Sequence, residues 1–254
     1  MEDPETMQIF LNSKHATRYN NGTSDVDFFF KNLDILSQYY IHVSVKHAVI
    51  PYSFYNINSK NNNLQIRVYD NFGYLDTKNI FISVGNHTIN TLISELKDKL
   101  SSSLFTITYN SITNKITFTN SSYDFFLMSS STCLELLGFS SYGDIYAISK
   151  VATSNTSVNL QSVQCICISS NFHSNSISSG NQNNGNALAS IPLGNQPYSM
   201  ITFENHTNHK VNLYSNVLNP INIKLLDQNG NIIDLNGLHW SMMLQLDILR
   251  FNED

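Results

Sequence analysis

INIKLLDQNGNIIDLNGLHWSMMLQLDIL, residues 221–249, carries the plainest fold signal in the chain. Ile221, Ile223 and Leu225 alternate with Asn222 and Lys224, the period of two expected of a half-buried strand. Asn229-Gly230 predicts a tight hairpin turn, because both residue types tolerate positive φ. Ile232 and Ile233 start the return, and Asn236-Gly237 predicts a second turn. Beyond it, Trp240, Met242, Leu244, Leu246 and Ile248 alternate through a last strand.

The same pattern recurs upstream. In residues 39–50, YYIHVSVKHAVI, the side chains of Ile41, Val43 and Val45 point one way and those of His42, Ser44 and Lys46 the other. Pro51 and the Asn-rich stretch 56–63 end that strand, and Leu64, Ile66 and Val68 mark another at 64–69. Residues 163–168 are apolar on both faces, which predicts a strand covered on both sides. Residues 187–193, 198–203 and 211–214 read as short strands. Residues 169–186 are nearly all Ser, Asn, Gly and Gln; they cannot bury apolar area and predict a long exposed loop.

Between them, about 80–139, the character changes. A short strand is expected at 80–84. Ile89, Leu92, Ile93, Leu96 and Leu100 then recur at helical spacing, with Asn86 or Thr88 as the cap. Phe105, Ile107 and Tyr109 form one strand face and Ile116 and Phe118 the next, joined by a turn at 110–114; a third strand covers 124–128. Thr132-Cys133-Leu134-Glu135 has the form of a capping box, and Gly138 stands where a short helix would stop. The expectation is an all-β chain: a single jelly-roll sandwich carrying an inserted small α+β unit. The expected division is 1–78 and 151–254 for the jelly roll and 79–150 for the insert.

Composition excludes several classes. Only 13% of the 254 residues are charged, while 35 are Asn and 33 are Ser, so the Glu and Lys of a coiled coil are missing. A net charge of −5 is too small for disorder driven by charge. No apolar run is long enough for a membrane-spanning helix, and MEDPETMQIF lacks the apolar core of a signal peptide. With 14 Lys and Arg against 19 Asp and Glu, no specific nucleic-acid partner is expected. Three cysteines, an odd number, fit a reducing compartment. Cys165 and Cys167 share one strand face at about 7 Å, too far for an easy disulfide. Sequons at Asn21, Asn86, Asn120, Asn155 and Asn205 are what so much Asn, Ser and Thr gives by chance.

The chain shows no phosphate-loop, dinucleotide, zinc-protease, nucleophile-elbow or Cys-x-x-Cys motif. No catalytic residue, cofactor or metal site is therefore expected, and no enzyme. The nearest metal-like spacing is Glu204, His206 and His209, for which a polar turn is the better explanation. Asp25 and Asp27 have the form of paired carboxylates but are expected to open a solvent-exposed segment before Phe28, Phe29 and Phe30. That aromatic cluster, and Trp240, are expected in the core rather than at an interface.

Residues 221–249 also resemble the last hairpin of the penton, or minor capsid, proteins of virophages and Polinton-like viruses. The matching elements are Leu225, Leu226 and Asp227, Gly230, residues 232–235, Asn236, Gly237 and Trp240, then the final strand 242–249. VSVKHAVIPYSFYNIN (43–58), LELLGFS (134–140) and ALASIP (187–192) agree in order. The resemblance implies a single jelly roll with an insertion, five copies of which plug each fivefold vertex of an icosahedral capsid. It implies trimers of a double-jelly-roll major capsid protein as neighbours, and a place in the virion after synthesis in the host cytoplasm or virus factory. The alternative function is a β-sandwich carbohydrate- or receptor-binding module. Residues of any interface are not legible from the sequence.

Overall fold

The computed structural model describes residues 5–31, 33, 39–70, 72–172, 186–194, 196–213 and 218–250. Most of the expected loop at 169–186 therefore lies outside the described residues. The chain opens with β1 (Glu5–Asn12), β2 (Arg18–Tyr19), β3 (Asp25–Phe28) and β4 (Tyr39–Pro51). Next come β5 (Asn63–Asp70), β6 (Gly73–Phe81), helix α1 (Ile89–Leu100), β7 (Phe105–Asn110), β8 (Lys115–Asn120), β9 (Asp124–Leu127), β10 (Ile145–Tyr146) and β11 (Val151–Thr153). β12 (Cys165–Ser170), β13 (Ala187–Pro192), β14 (Met200–Glu204), β15 (Val211–Leu213), β16 (Ile221–Leu226) and β17 (Ser241–Arg250) complete it. Contacts divide the chain into two units: Met1–Phe54 with Val163–Asp254, and Tyr55–Ser162.

The first unit is a two-sheet sandwich. One sheet runs β1-β17-β4-β14, with β15 also on β4; the other runs β13-β12-β16-β3-β2. The first strand thus lies beside the last, and β3 lies beside β16 although most of the chain separates them. This interleaving of early and late antiparallel strands is jelly-roll topology.

Register decides which side chains reach the core. β17 pairs with β4 along its whole length, and the register slips by one where Met243 faces His47 and Leu244 faces Val45. Lys46 is the extra residue of a β-bulge. Before it Ile41, Val43 and Val45 are buried; after it Ala48 and Ile50 are. Without the slip, Ala48 and Ile50 would face outward.

Trp240 fills the core as expected, with 1% of its surface exposed. Its indole N–H donates to the Thr23 carbonyl at 2.7 Å, its backbone N–H to Ser13 Oγ at 3.0 Å, and its ring meets Phe28 edge to face at 6.1 Å. Asn236 and Gly237 both take positive φ, 51° and 78°, and the Leu238 N–H closes the turn on the Leu235 carbonyl at 3.0 Å. Of the Phe cluster, Phe28 is buried, but Phe29 is 52% exposed.

Two sequence expectations in this unit need correction. β12 is not apolar on both faces: Ile166 and Ile168 enter the core, while Cys165 and Cys167 on the other face are half-buried. Asp25 and Asp27 are not solvent-exposed; they are 7% and 3% exposed, since Arg18 on β2 and Asn222 on β16 close over them. The return after Asn229-Gly230 starts at Ile232 and Ile233 as expected: Leu226 bridges Ile232, and the Ile233 N–H donates to the Leu225 carbonyl at 3.0 Å as the next step of the same antiparallel pairing.

The second unit has its own core and two sheets, β10-β9-β5-β6 and β11-β8-β7. Thr88 caps α1: its hydroxyl accepts the Thr91 N–H at 3.3 Å, and the Thr91 hydroxyl accepts the Thr88 N–H at 2.9 Å. Leu92, Ile93, Leu96 and Leu100 are buried along the expected stripe. Of the strand expected at 80–84 only 80–81 belongs to a strand, the end of the longer β6, whose polar stretch at 76–79 hid it. The unit is also wider than 79–150, running from Tyr55 to Ser162, because β5 pairs with both β6 and β9. The capping box at 132–135 forms turns rather than a helix. Its Thr132 hydroxyl accepts from the Asn63 N–H at 3.0 Å, and Glu135 accepts from the Ser141 hydroxyl at 2.6 Å, so neither is free to cap. Gly138 does end the segment, at φ 81°. A Cβ there would strike the Thr156 carbonyl oxygen.

Two outcomes follow from this architecture. Replacing 55–162 with a short Gly-Ser linker is expected to leave a soluble β protein by circular dichroism; an unfolded product would mean that the jelly roll needs the second unit. Gly138→Ala combines positive φ with a backbone collision, and is expected to lower stability by about 2 kcal/mol or more in urea unfolding.

Candidate functional site

The residues singled out for chemistry are engaged structurally. Glu204 Oε2 lies 3.6 Å from His206 Nε2, both on the surface. Among the described residues no three His, Cys, Asp or Glu side chains gather in a metal-binding arrangement, so His209 does not complete that pair. Asn222 Nδ2 donates to Asp25 Oδ1 at 2.9 Å and to Asp27 Oδ1 at 2.8 Å, and Arg18 Nε donates to Asp27 Oδ2 at 2.8 Å. Burial alone would raise the Asp27 carboxyl, but the bonds from Asn222 and Arg18 outweigh it and hold the group below the usual range.

The three cysteines are free thiols. Burial pushes Cys133 up to about 12. Cys165 and Cys167 bring their sulfurs to 3.9 Å, and burial, with Cys165 beside it, raises Cys167. The thiolate is the nucleophile, so Cys133 and Cys167 sit where the reactive form is disfavoured.

What the surface offers is contact. In the first unit a groove of about 450 Å³ lies between the edge strands of the two sheets, β13 and β14. Val45, Leu188 and Phe203 contribute apolar lining, while Glu204, His206 and His209 contribute polar lining.

The second unit has an aromatic row that sequence reading missed. Tyr74, Tyr69, Phe126 and Tyr146 come from β6, β5, β9 and β10, one from each strand of a single sheet. Adjacent rings have centroids 6.1, 5.4 and 4.9 Å apart. Register puts them on the outer face: Phe125 and Leu127 point into the core, and Phe126 between them points out, opposite Tyr146 and Arg67. Tyr74 is 61% and Tyr146 50% exposed. The four are scattered over 69–146, and their adjacency depends on a bulge at Leu75 that no local pattern reveals. Among the described residues, no helix is long and apolar enough to cross a membrane.

No protein-family model and no curated protein sequence matches the chain. Among solved structures, that of the mavirus penton protein is similar. The two chains are 12% identical with a TM-score of 0.53, and the match covers 96% of this chain and 100% of that one. At that identity the likeness is one of fold: the chain has a penton-like fold across its length.

The buried carboxylates predict a pH dependence. Asp27 is held low by Asn222 and Arg18 against burial, and Asp247 by Lys210 and Gln245 against burial. Their contribution is fully present above the unfolded carboxylate range and is lost as pH falls through the lowered folded values. Asn222→Ala is expected to cost about 1–3 kcal/mol at neutral pH, because it removes the amide donor that Asp25 Oδ1 and Asp27 Oδ1 share in a buried site. The deficit should shrink as urea-unfolding curves are taken below about pH 4, the unfolded carboxylate range, toward the lower folded value of Asp27.

Proposed function

We propose that the chain is a capsid vertex protein, a penton, and not an enzyme. In this proposal five copies surround a fivefold axis of an icosahedral capsid, with trimers of a double-jelly-roll major capsid protein as neighbours and the virion as its place. One observation carries it: jelly-roll topology and full-length likeness to a penton protein occur in the same chain. The engagement of the candidate carboxylates and the raised cysteine thiols add support.

A closed ring of five needs a heterologous contact, one side of a copy against a different side of the next. The sandwich has two such sides. β1 and β2 are edge strands at one end of the strand orders, and β14 and β13 are edge strands at the other. Exposed edges carry unpaired backbone groups that a neighbour can satisfy. The groove between β13 and β14 gives the second side an apolar recess.

The purified protein is expected to form pentamers in mass photometry and fivefold rings in negative-stain electron microscopy. Each contact should bury roughly 1,000 Å² or more. With 13% charged residues, packing and neutral hydrogen bonds carry the contact, so raising salt should leave the pentamer fraction nearly unchanged. A stable dimer or trimer without a fivefold species would overturn the proposal.

A further inference from the structure

We propose that the outer face of the β10-β9-β5-β6 sheet binds a neutral oligosaccharide. This goes beyond the vertex proposal and stands without it.

The face combines two kinds of surface. Tyr74, Tyr69, Phe126 and Tyr146 form a continuous row of rings, with Tyr69 set at 77° to Tyr74 and 67° to Phe126. Tyr69 thus meets both neighbours edge to face, so the row offers separate ring surfaces rather than one flat plate. Exposed aromatic surface gathered in one place marks a binding surface. Around the row, register places planar polar side chains on the same face. Gln65 lies opposite Asn79 on β6, Arg67 lies opposite Thr77, and Asp124 lies opposite Tyr69. A sugar ring presents an apolar C–H face and a rim of hydroxyls, and this mixture of ring surface and planar hydrogen-bonding groups complements both.

Charge selects the kind of sugar. Residues 55–162 hold seven Lys and Arg against seven Asp and Glu, so the net charge of −5 belongs to the rest of the chain. On the face itself Arg67 stands near Tyr69 and Asp144. Asp144 in turn accepts the Ser129 N–H and hydroxyl at 2.8 and 2.9 Å. One matched cation cannot track a phosphate backbone, nor does it favour a sialylated or sulfated chain. With Arg67 against both Asp124 and Asp144, the face repels anionic chains, and a neutral ligand is its complement. The Tyr74 hydroxyl is already oriented, its Oη 3.2 Å from Thr77 Oγ1.

Isothermal titration and saturation-transfer NMR of the full chain with chitopentaose, cellopentaose, lacto-N-tetraose and 3′-sialyllactose test this. At least one neutral oligosaccharide is expected to bind saturably, with Kd on the order of 0.1–1 mM. Binding should be unchanged by added salt. Tyr74→Ser with Tyr146→Ser should weaken it about tenfold or more. Ile112→Ser, at a position 92% exposed but outside the row, should leave it unchanged. If the double variant melts early, Tyr74→Ser alone, on the edge strand, makes the same test. No binding of any neutral probe by the folded chain would overturn the proposal, as would binding indifferent to the tyrosine changes or a preference for the sialylated probe. Loss of pentamers in the tyrosine variants, with no sugar bound by the parent, would assign the row to a protein contact instead. Normal pentamers without sugar binding would overturn this inference and leave the vertex proposal standing.

Discussion

The pairing of β17 with β4 is the constraint on which the sandwich depends. β17 also holds β1, and β4 also holds β14 and β15, so one ladder anchors every strand of its sheet. A strand ladder allows only two choices of face, and a slip of one residue exchanges them. The bulge at Lys46 lets one long strand bury Val45 and Ala48 on the same side. Trp240, just before β17, links this sheet to the segment before β3 through its bond to Thr23 and its edge contact with Phe28. Truncating such a side chain removes about 3–5 kcal/mol. The last strand's register and the packing between sheets are therefore set within a few residues of each other.

The wealth of asparagine has a structural role that composition alone does not disclose. Asn219 donates to the Phe30 carbonyl and accepts its N–H, at 2.8 and 3.1 Å. Asn56 does the same for His87 at 2.8 and 2.8 Å, and Asn205 for His209 at 2.8 and 3.0 Å. In each case one side-chain amide satisfies both backbone groups of a distant or looped residue, as a neighbouring strand would. Asn110 and Asn120 each accept two successive N–H groups in turns. Irregular backbone must find partners for its polar groups, and a neutral amide supplies donor and acceptor without burying a charge. A fold of many short strands and many connections therefore uses asparagine where another would use longer ladders.

Much of the fold was legible because burial imposes a period. Ile221, Ile223 and Leu225 on one strand, and Met242, Leu244, Leu246 and Ile248 on another, alternate as the structure has them. The helix at 89–100 announced itself by its stripe, and Thr88 by its place before it. Legibility failed where local chemistry was shared with a distant partner. Thr132 and Glu135 have the spacing of a helix cap, yet Asn63 and Ser141 claim their side chains. Asp25 and Asp27 look like surface residues until Asn222, nearly two hundred positions away, covers them. The polar stretch 76–79 shows no alternation because an edge strand has little to bury there.

The surface chemistry was harder to read for a further reason. Alternation tells which residues of a strand face outward but not what stands beside them. Tyr69, Tyr74, Phe126 and Tyr146 are each ordinary outward positions in their own segments, and only the order of four strands makes them neighbours. The same holds for charge: a whole-chain value of −5 hides a neutral 55–162 segment and an acidic remainder. Long-range attraction acts on net charge, whereas ring surfaces and amides act at contact distance. A chain divided in this way can carry two surfaces of different chemistry, one governed by sheet edges and grooves, the other by an exposed sheet face. That separation lets either surface change in sequence without altering the core that supports the other.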